Sequence, residues 1–151
     1  MCALAKHLGE DENIWGLSGL LHDADVEIST PQTQGKLVGE KLGDKITPEM
    51  EYAMAAHNTF TGVEPKSKFD FALTSAETIT GLIVAAALIL PDKKLSSLTK
   101  ESIVKRFYEK RFAAGADRNL ILYCEKIGLN LEQFAEIALN AMRGISKELG
   151  L

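Results

Sequence analysis

Nowhere along this chain do apolar and polar residues alternate with period two, whereas apolar residues recur at three-and-four spacing almost from end to end. A half-buried strand needs the first pattern and an amphipathic helix the second, so the expected fold is all-α. The punctuation agrees. Asp11 and Asn13 are candidate caps for a helix with Ile14, Leu17, Leu20, Leu21 and Ala24 on one face, ending near His22-Asp23. Thr30-Pro31 and Thr47-Pro48 each pair a capping hydroxyl with a first-turn proline. They predict a helix through Leu37, Val38 and Leu42 to about Gly43, and another with Met50, Ala53, Met54 and His57 on one stripe. Phe69 to Leu90 reads as the long core helix, apolar nearly all round after Ile79. Thr99 opens a basic helix, and Asp117 caps the next as far as Gly128. Asn130 with Gln133 makes an amide capping box for a last helix through Phe134, Ile137, Ala138, Ala141, Met142 and Ile145. Met1 to Gly9 reads as the last turns of a helix with no capping residue at its start. With 151 residues, 46% of them apolar and 25% charged, the expectation is one domain, 1–151, of about seven helices.

Charge and composition exclude several function classes. A net charge of −4 gives no overall drive toward nucleic acid or anionic lipid, and no recognition-helix pattern accompanies the basic residues. The longest apolar run, Leu82 to Leu90, ends at Pro91 and falls short of the roughly 20 residues of a membrane helix. It is expected to be a buried helix. Cys2 and Cys124 form neither a disulfide framework nor a CxxC pair, which points to a reducing, cytoplasmic setting, with Cys124 a small buried hydrophobe. The charge is unevenly spread: Lys93 to Arg111 carries +5 and the remainder −9. Such a segment is either a solvated amphipathic helix or a rim that attracts an anionic substrate. Phe107, Tyr108 and Phe112 at helical spacing read as core.

The string with most chemical content is Trp15-Gly16-Leu17-Ser18-Gly19-Leu20-Leu21-His22-Asp23-Ala24-Asp25. An imidazole and a carboxylate side by side at a fraying helix end can turn toward one point, and mixed N/O ligation suits Mn, Fe, Co, Ni, Zn or Mg. The same residues also suit a locally hydrogen-bonded His22 beside solvated Asp23 and Asp25. His57, on the stripe with Met50, Ala53 and Met54, points inward, as a core histidine or as a contact to a substrate phosphate or a metal-bound water. Asp70, Thr74, Glu77 and Gly81 share one stripe of the long helix, where a carboxylate would be largely buried and either paired with a cation or raised in pKa; the other reading of Glu77 is a helix-surface carboxylate paired with Lys or Arg.

The run Leu17 to Asp25, with Gly-Leu-Leu-His-Asp at its centre, resembles the HD superfamily of metal-dependent phosphohydrolases, especially small bacterial members. Four further stretches are similar to family segments: Thr30-Pro31 with Gly35 to Gly39, Ala56-His57-Asn58, Ala72 to Leu82, and Lys110 to Arg118. The likeness runs over nearly the whole chain and implies an HD-like helical bundle.

The resemblance implies a divalent metal cofactor. In the family the cation is held by a His on the first helix, the His-Asp pair and an Asp on the long helix. His22 and Asp23 match the pair, and Glu77 stands at the distal Asp position. The chain begins after the place of the first His, and Gln34 stands where many relatives carry a further His. The implied activity is hydrolysis of a nucleotide or other small phosphate ester. The implied roles are Asp25 orienting or deprotonating water, His57 contacting phosphate, and Lys110 and Arg111 binding the substrate anion. The implied partner is a small phosphorylated molecule, with room for a homodimer and without nucleic-acid polymer or membrane. The alternative reading is a catalytically degenerate HD fold kept as a small-molecule-binding or interaction domain.

Overall fold

The structure, a computed structural model, describes residues 1–151 and contains helices and turns without strands. The chain packs as two compact units, Met1–Thr74 and Ser75–Leu151. The division falls inside one helix, that of Lys68–Leu88.

The first unit opens with α1 (Cys2–Leu8) and α2 (Glu12–Leu21), which pack on each other. Asp11 caps α2 by accepting the amides of Asn13 and Ile14. Packing on α1 turns α2 away from the expected orientation. Gly16 lies so close to the Cys2 sulfur that a methyl group there would overlap it. Trp15 stacks on Phe69 with ring centroids 5.2 Å apart. The buried residues of α2 are therefore Trp15 and Ser18, while Ile14, Leu17 and Leu20 are exposed, Leu20 at 77%. Periodicity identifies the apolar residues of a helix, but backbone approach decides which side faces inward.

The helix expected from Thr30-Pro31 is also displaced. The hydroxyls of Thr30 and Thr33 bond each other across a turn, and α3 runs only over Lys36–Leu42. Gly35, at φ 84°, interrupts the chain before it. Its N–H is held by both carboxylate oxygens of Asp25, at 3.0 and 2.9 Å, and this side-chain clasp takes the place of a helical hydrogen bond. By contrast Thr47 caps α4 (Pro48–Ala56) as expected, its hydroxyl accepting the Met50 amide. The α4 stripe Met50, Ala53, Met54 and His57 is buried. Both α2 and α3 pack against α4.

Helix α5 spans Lys68–Leu88. By length and composition it could cross a membrane, yet 56% of its apolar window is buried within the protein, as in a core helix. The second unit continues with α6 (Lys100–Tyr108), the single turn α7 (Arg118–Ile121) followed by a 3-10 segment to Ile127, α8 (Leu131–Arg143) and the short α9 (Ser146–Leu149). Helix α6 packs on α8. Both halves of the Asn130/Gln133 capping box are formed. Helix α8 buries Leu131, Phe134, Ala135, Leu139 and Met142 and stops before Ile145, which is 50% exposed. Cys124 is fully buried, and desolvation pushes its thiol up to about 11. Phe107 is core, whereas Tyr108 stands in solvent.

One guanidinium organises the segment after α6. Arg118 donates to the carbonyl oxygens of Phe107 at 3.1 Å, Ala113 at 2.8 Å and Ala116 at 2.5 Å, with longer contacts to Arg106 and Glu109 and a close one to Phe112. These acceptors lie on a stretch with few ladder hydrogen bonds of its own, where Ala113 takes φ 44°. Arg118→Ala is expected to lower stability by about 3 kcal/mol, because several half-buried carbonyls lose a charged donor together. Urea unfolding of the two proteins gives that difference. Arg118→Lys, lacking the planar fork, should recover less than half of it.

Candidate metal centre

Two helix ends and one connecting segment build the site, all within the first unit. His22 is the C-cap residue of α2 and His57 the C-cap residue of α4. The last carbonyls of a helix have no intrahelical donor, and each imidazole takes one of them three residues back. His22 Nδ1 lies 2.9 Å from the Gly19 carbonyl oxygen, and His57 Nδ1 lies 2.5 Å from that of Met54. A carbonyl oxygen only accepts, so both Nδ1 atoms carry the proton and donate it. In a neutral ring this leaves Nε2 as the acceptor.

Both Nε2 atoms point at one carboxylate. His22 Nε2 is 3.2 Å from Asp23 Oδ2, and His57 Nε2 is 3.4 Å from Asp23 Oδ1. The rings stand edge to face with centroids 4.9 Å apart. The ligand atoms of His22, Asp23 and His57 all lie within 4.8 Å of one another. Each Nε2 faces the carboxylate, so the arrangement calls for positive charge among the three groups, as a proton on an imidazole or as a bound cation. His22 Nε2 is buried without a hydrogen-bond partner, which makes the shortage explicit. Two helix C-termini meet here as well, and their partial negative charge favours a cation. Two imidazoles with Nδ1–H held on backbone carbonyls, plus one carboxylate, is a donor set that fits a transition-metal or zinc ion.

The supporting residues fix the carboxylate. Gln34 Nε2 donates to Asp23 Oδ1 at 2.6 Å, and Asn58 Nδ2 reaches Gln34 Oε1 at 3.4 Å and the Pro31 carbonyl at 2.8 Å. The sequence marks Gln34 as a poor ligand, and its amide serves instead to orient one. Gln34→Ala is expected to weaken divalent-metal affinity by about tenfold to a hundredfold with the fold intact, as removal of an outer partner does. Competition with a chelating dye measures this. An unchanged affinity would show that Asp23 needs no holding.

The remaining sequence candidates are not among the three clustered residues. Asp25 is 1% exposed, and both its oxygens are taken up by the Gly35 amide, so its visible role is to shape the segment between α2 and α3. Glu77 belongs to the second unit and is exposed, contrary to the expectation of burial. Its stripe on α5 is covered at Asp70 and Thr74 and open from Glu77 to Gly81. The Glu77 carboxylate accepts from the Thr78 hydroxyl at 3.1 Å and lines a concavity of about 380 Å³ with Thr80, Ala113 and Asp117. Lys110 and Arg111 are exposed in the turn after α6, in the same unit. What sequence reasoning missed was His57 as a partner of Asp23. The available signal was the shared position of the two histidines, each at the end of a helix.

Comparison with family models, with curated proteins and with solved structures finds no match for this chain.

Proposed function

We propose that the His22, Asp23, His57 cluster binds a divalent metal ion and that the protein is a metal-dependent hydrolase of small phosphate esters. The observation that carries this reading is the convergence of two oriented imidazole Nε2 atoms on one carboxylate, with one of those nitrogens buried and unsatisfied. The sequence likeness to HD phosphohydrolases supplies the reaction class.

A bound divalent cation would act as a Lewis acid that acidifies water and offsets charge developing on phosphoryl oxygens. The chain's own residues set the conditions for it. His22 and His57 present Nε2 because their Nδ1 protons are committed to Gly19 and Met54. Asp23 supplies the negative charge and is held in place by Gln34. Asn58, anchored on Pro31, keeps Gln34 from rotating away. The Lys36 ammonium, bound to the Thr61 carbonyl at 2.8 Å, draws the loop after α4 against the start of α3.

The test is metal analysis after incubation with Mn, Fe, Co, Ni, Zn and Mg, followed by a phosphatase panel of nucleotides and sugar phosphates with the best-retained ion. Near-stoichiometric metal with turnover of at least one phosphate ester supports the proposal. Substoichiometric metal with every ion would reject it and leave a binding or interaction domain.

A further inference from the structure

The second unit contains a concavity of about 810 Å³ whose charged side chains are four cations and one carboxylate, with Gly150 and Leu151 completing its wall. Lys93 and Lys94 approach it from the turn after α5, Arg143 from the end of α8, and Lys147 from α9; Ser96 and Ser146 add hydroxyls. Asp92 is the one acidic side chain among the lining residues. Its carboxylate is engaged by the Ser97 hydroxyl at 2.6 Å and the Lys94 amide at 3.3 Å, within its own turn.

Only Lys68, Lys100 and Arg106 are paired with carboxylates, those of Glu10, Glu136 and Glu109; no carboxylate lies within 4.0 Å of the ammonium groups of Lys93, Lys94 or Lys147, so their charge is not offset locally. Arg143 is fixed without being neutralised: its guanidinium donates to the carbonyl oxygens of Leu95 at 3.1 Å and Leu98 at 2.6 Å. It thus holds a full positive charge rigidly at the cavity wall. Lys93 sits at φ 53°, a backbone conformation that costs a lysine energy and turns the chain sharply where the two lysines meet the cavity. Four like charges gathered around one hollow repel each other, and a multivalent anion is the species that relieves them. The volume exceeds what one phosphate group needs.

We propose that this concavity is a binding site for a small polyphosphate anion, the chemistry shared by inorganic tripolyphosphate and the phosphate chain of a nucleotide. Arg143 is its fixed anchor, and Lys93, Lys94 and Lys147 close on the other oxygens. The site is independent of the cluster in the first unit and does not rest on the proposed hydrolase activity.

Calorimetric titration of the chelator-treated full chain with sodium tripolyphosphate should show saturable one-to-one binding, with orthophosphate at least about tenfold weaker. The Lys94→Ala/Lys147→Ala double variant should bind tripolyphosphate about a hundredfold more weakly, two charged contacts being lost. Its circular dichroism should be unchanged, because both side chains are exposed. His22→Ala should bind as the parent does. Adenosine triphosphate binding as tightly as tripolyphosphate identifies a nucleotide as a sufficient source of the anion, and markedly weaker binding identifies the inorganic chain; either supports the site. Absence of saturation by about 10 mM, well beyond the range of a specific site, overturns the proposal. Equal affinity in the double variant, or binding lost in His22→Ala, overturns it equally.

Discussion

His22→Ala and Asp23→Ala proteins are expected to fold, to retain almost no divalent metal, and to lose phosphate-ester hydrolysis by more than about a hundredfold, since removing even an outer partner of a metal ligand reaches that figure. The fold should survive because neither side chain fills the core. Alanine at 22 releases the Gly19 carbonyl, at a cost of about 1 kcal/mol, and removes no packed apolar group. Asp23→Asn is the sharper variant. It keeps the shape and leaves an oxygen able to accept from Gln34, but it withdraws the only negative charge in the cluster. If charge rather than geometry holds the cation, Asn should be as damaging as Ala. His57→Ala then separates two roles: a ligand loses metal, whereas a contact to phosphate raises KM with metal content unchanged. Elemental analysis alongside steady-state kinetics reads all four variants. Full metal and turnover in His22→Ala or Asp23→Ala would refute the centre.

Gly35→Ala should have the second large effect, on stability and metal binding together. The backbone there has φ 84°, which L-residues adopt at a cost of about 1–2 kcal/mol. A methyl group would also overlap the Met54 carbonyl oxygen and lie 3.2 Å from His57 Cε1. Neither neighbour can yield easily. The Met54 carbonyl is the acceptor that orients His57, and the Gly35 amide is gripped by buried Asp25. Strain and overlap together should cost about 4 kcal/mol. Thermal unfolding of the apo protein measures the first effect. Metal affinity of the fraction that remains folded measures the second, and it should fall because His57 turns with the Met54 carbonyl. A variant that unfolds at the parent temperature would mean that the α2–α3 connection is looser than its hydrogen bonds imply.

The positions of helices were largely legible in the sequence, because capping is local chemistry: Asp11, Thr47, Thr99, Asp117 and the Asn130/Gln133 box all act within three residues. Their inward faces were less so. Helix α2 presents Trp15 and Ser18 to the interior because glycine lets α1 approach, and an apolar count cannot register a close backbone approach. The start of α3 was hidden for a similar reason: Thr30-Pro31 reads as a helix start, but a carboxylate ten residues upstream captures Gly35. At the site, His22 and Asp23 announced themselves by adjacency. His57 joined them only through the packing of α2 and α3 on α4.

The histidines and the aspartate of the cluster all come from one stretch of chain that runs from the end of α2 to the end of α4, in the first unit. Closing a loop of that length carries a modest entropic penalty that grows only logarithmically with span. The donors can therefore assemble as soon as three neighbouring helices dock, and under the proposed metal binding a cation would favour that docked arrangement.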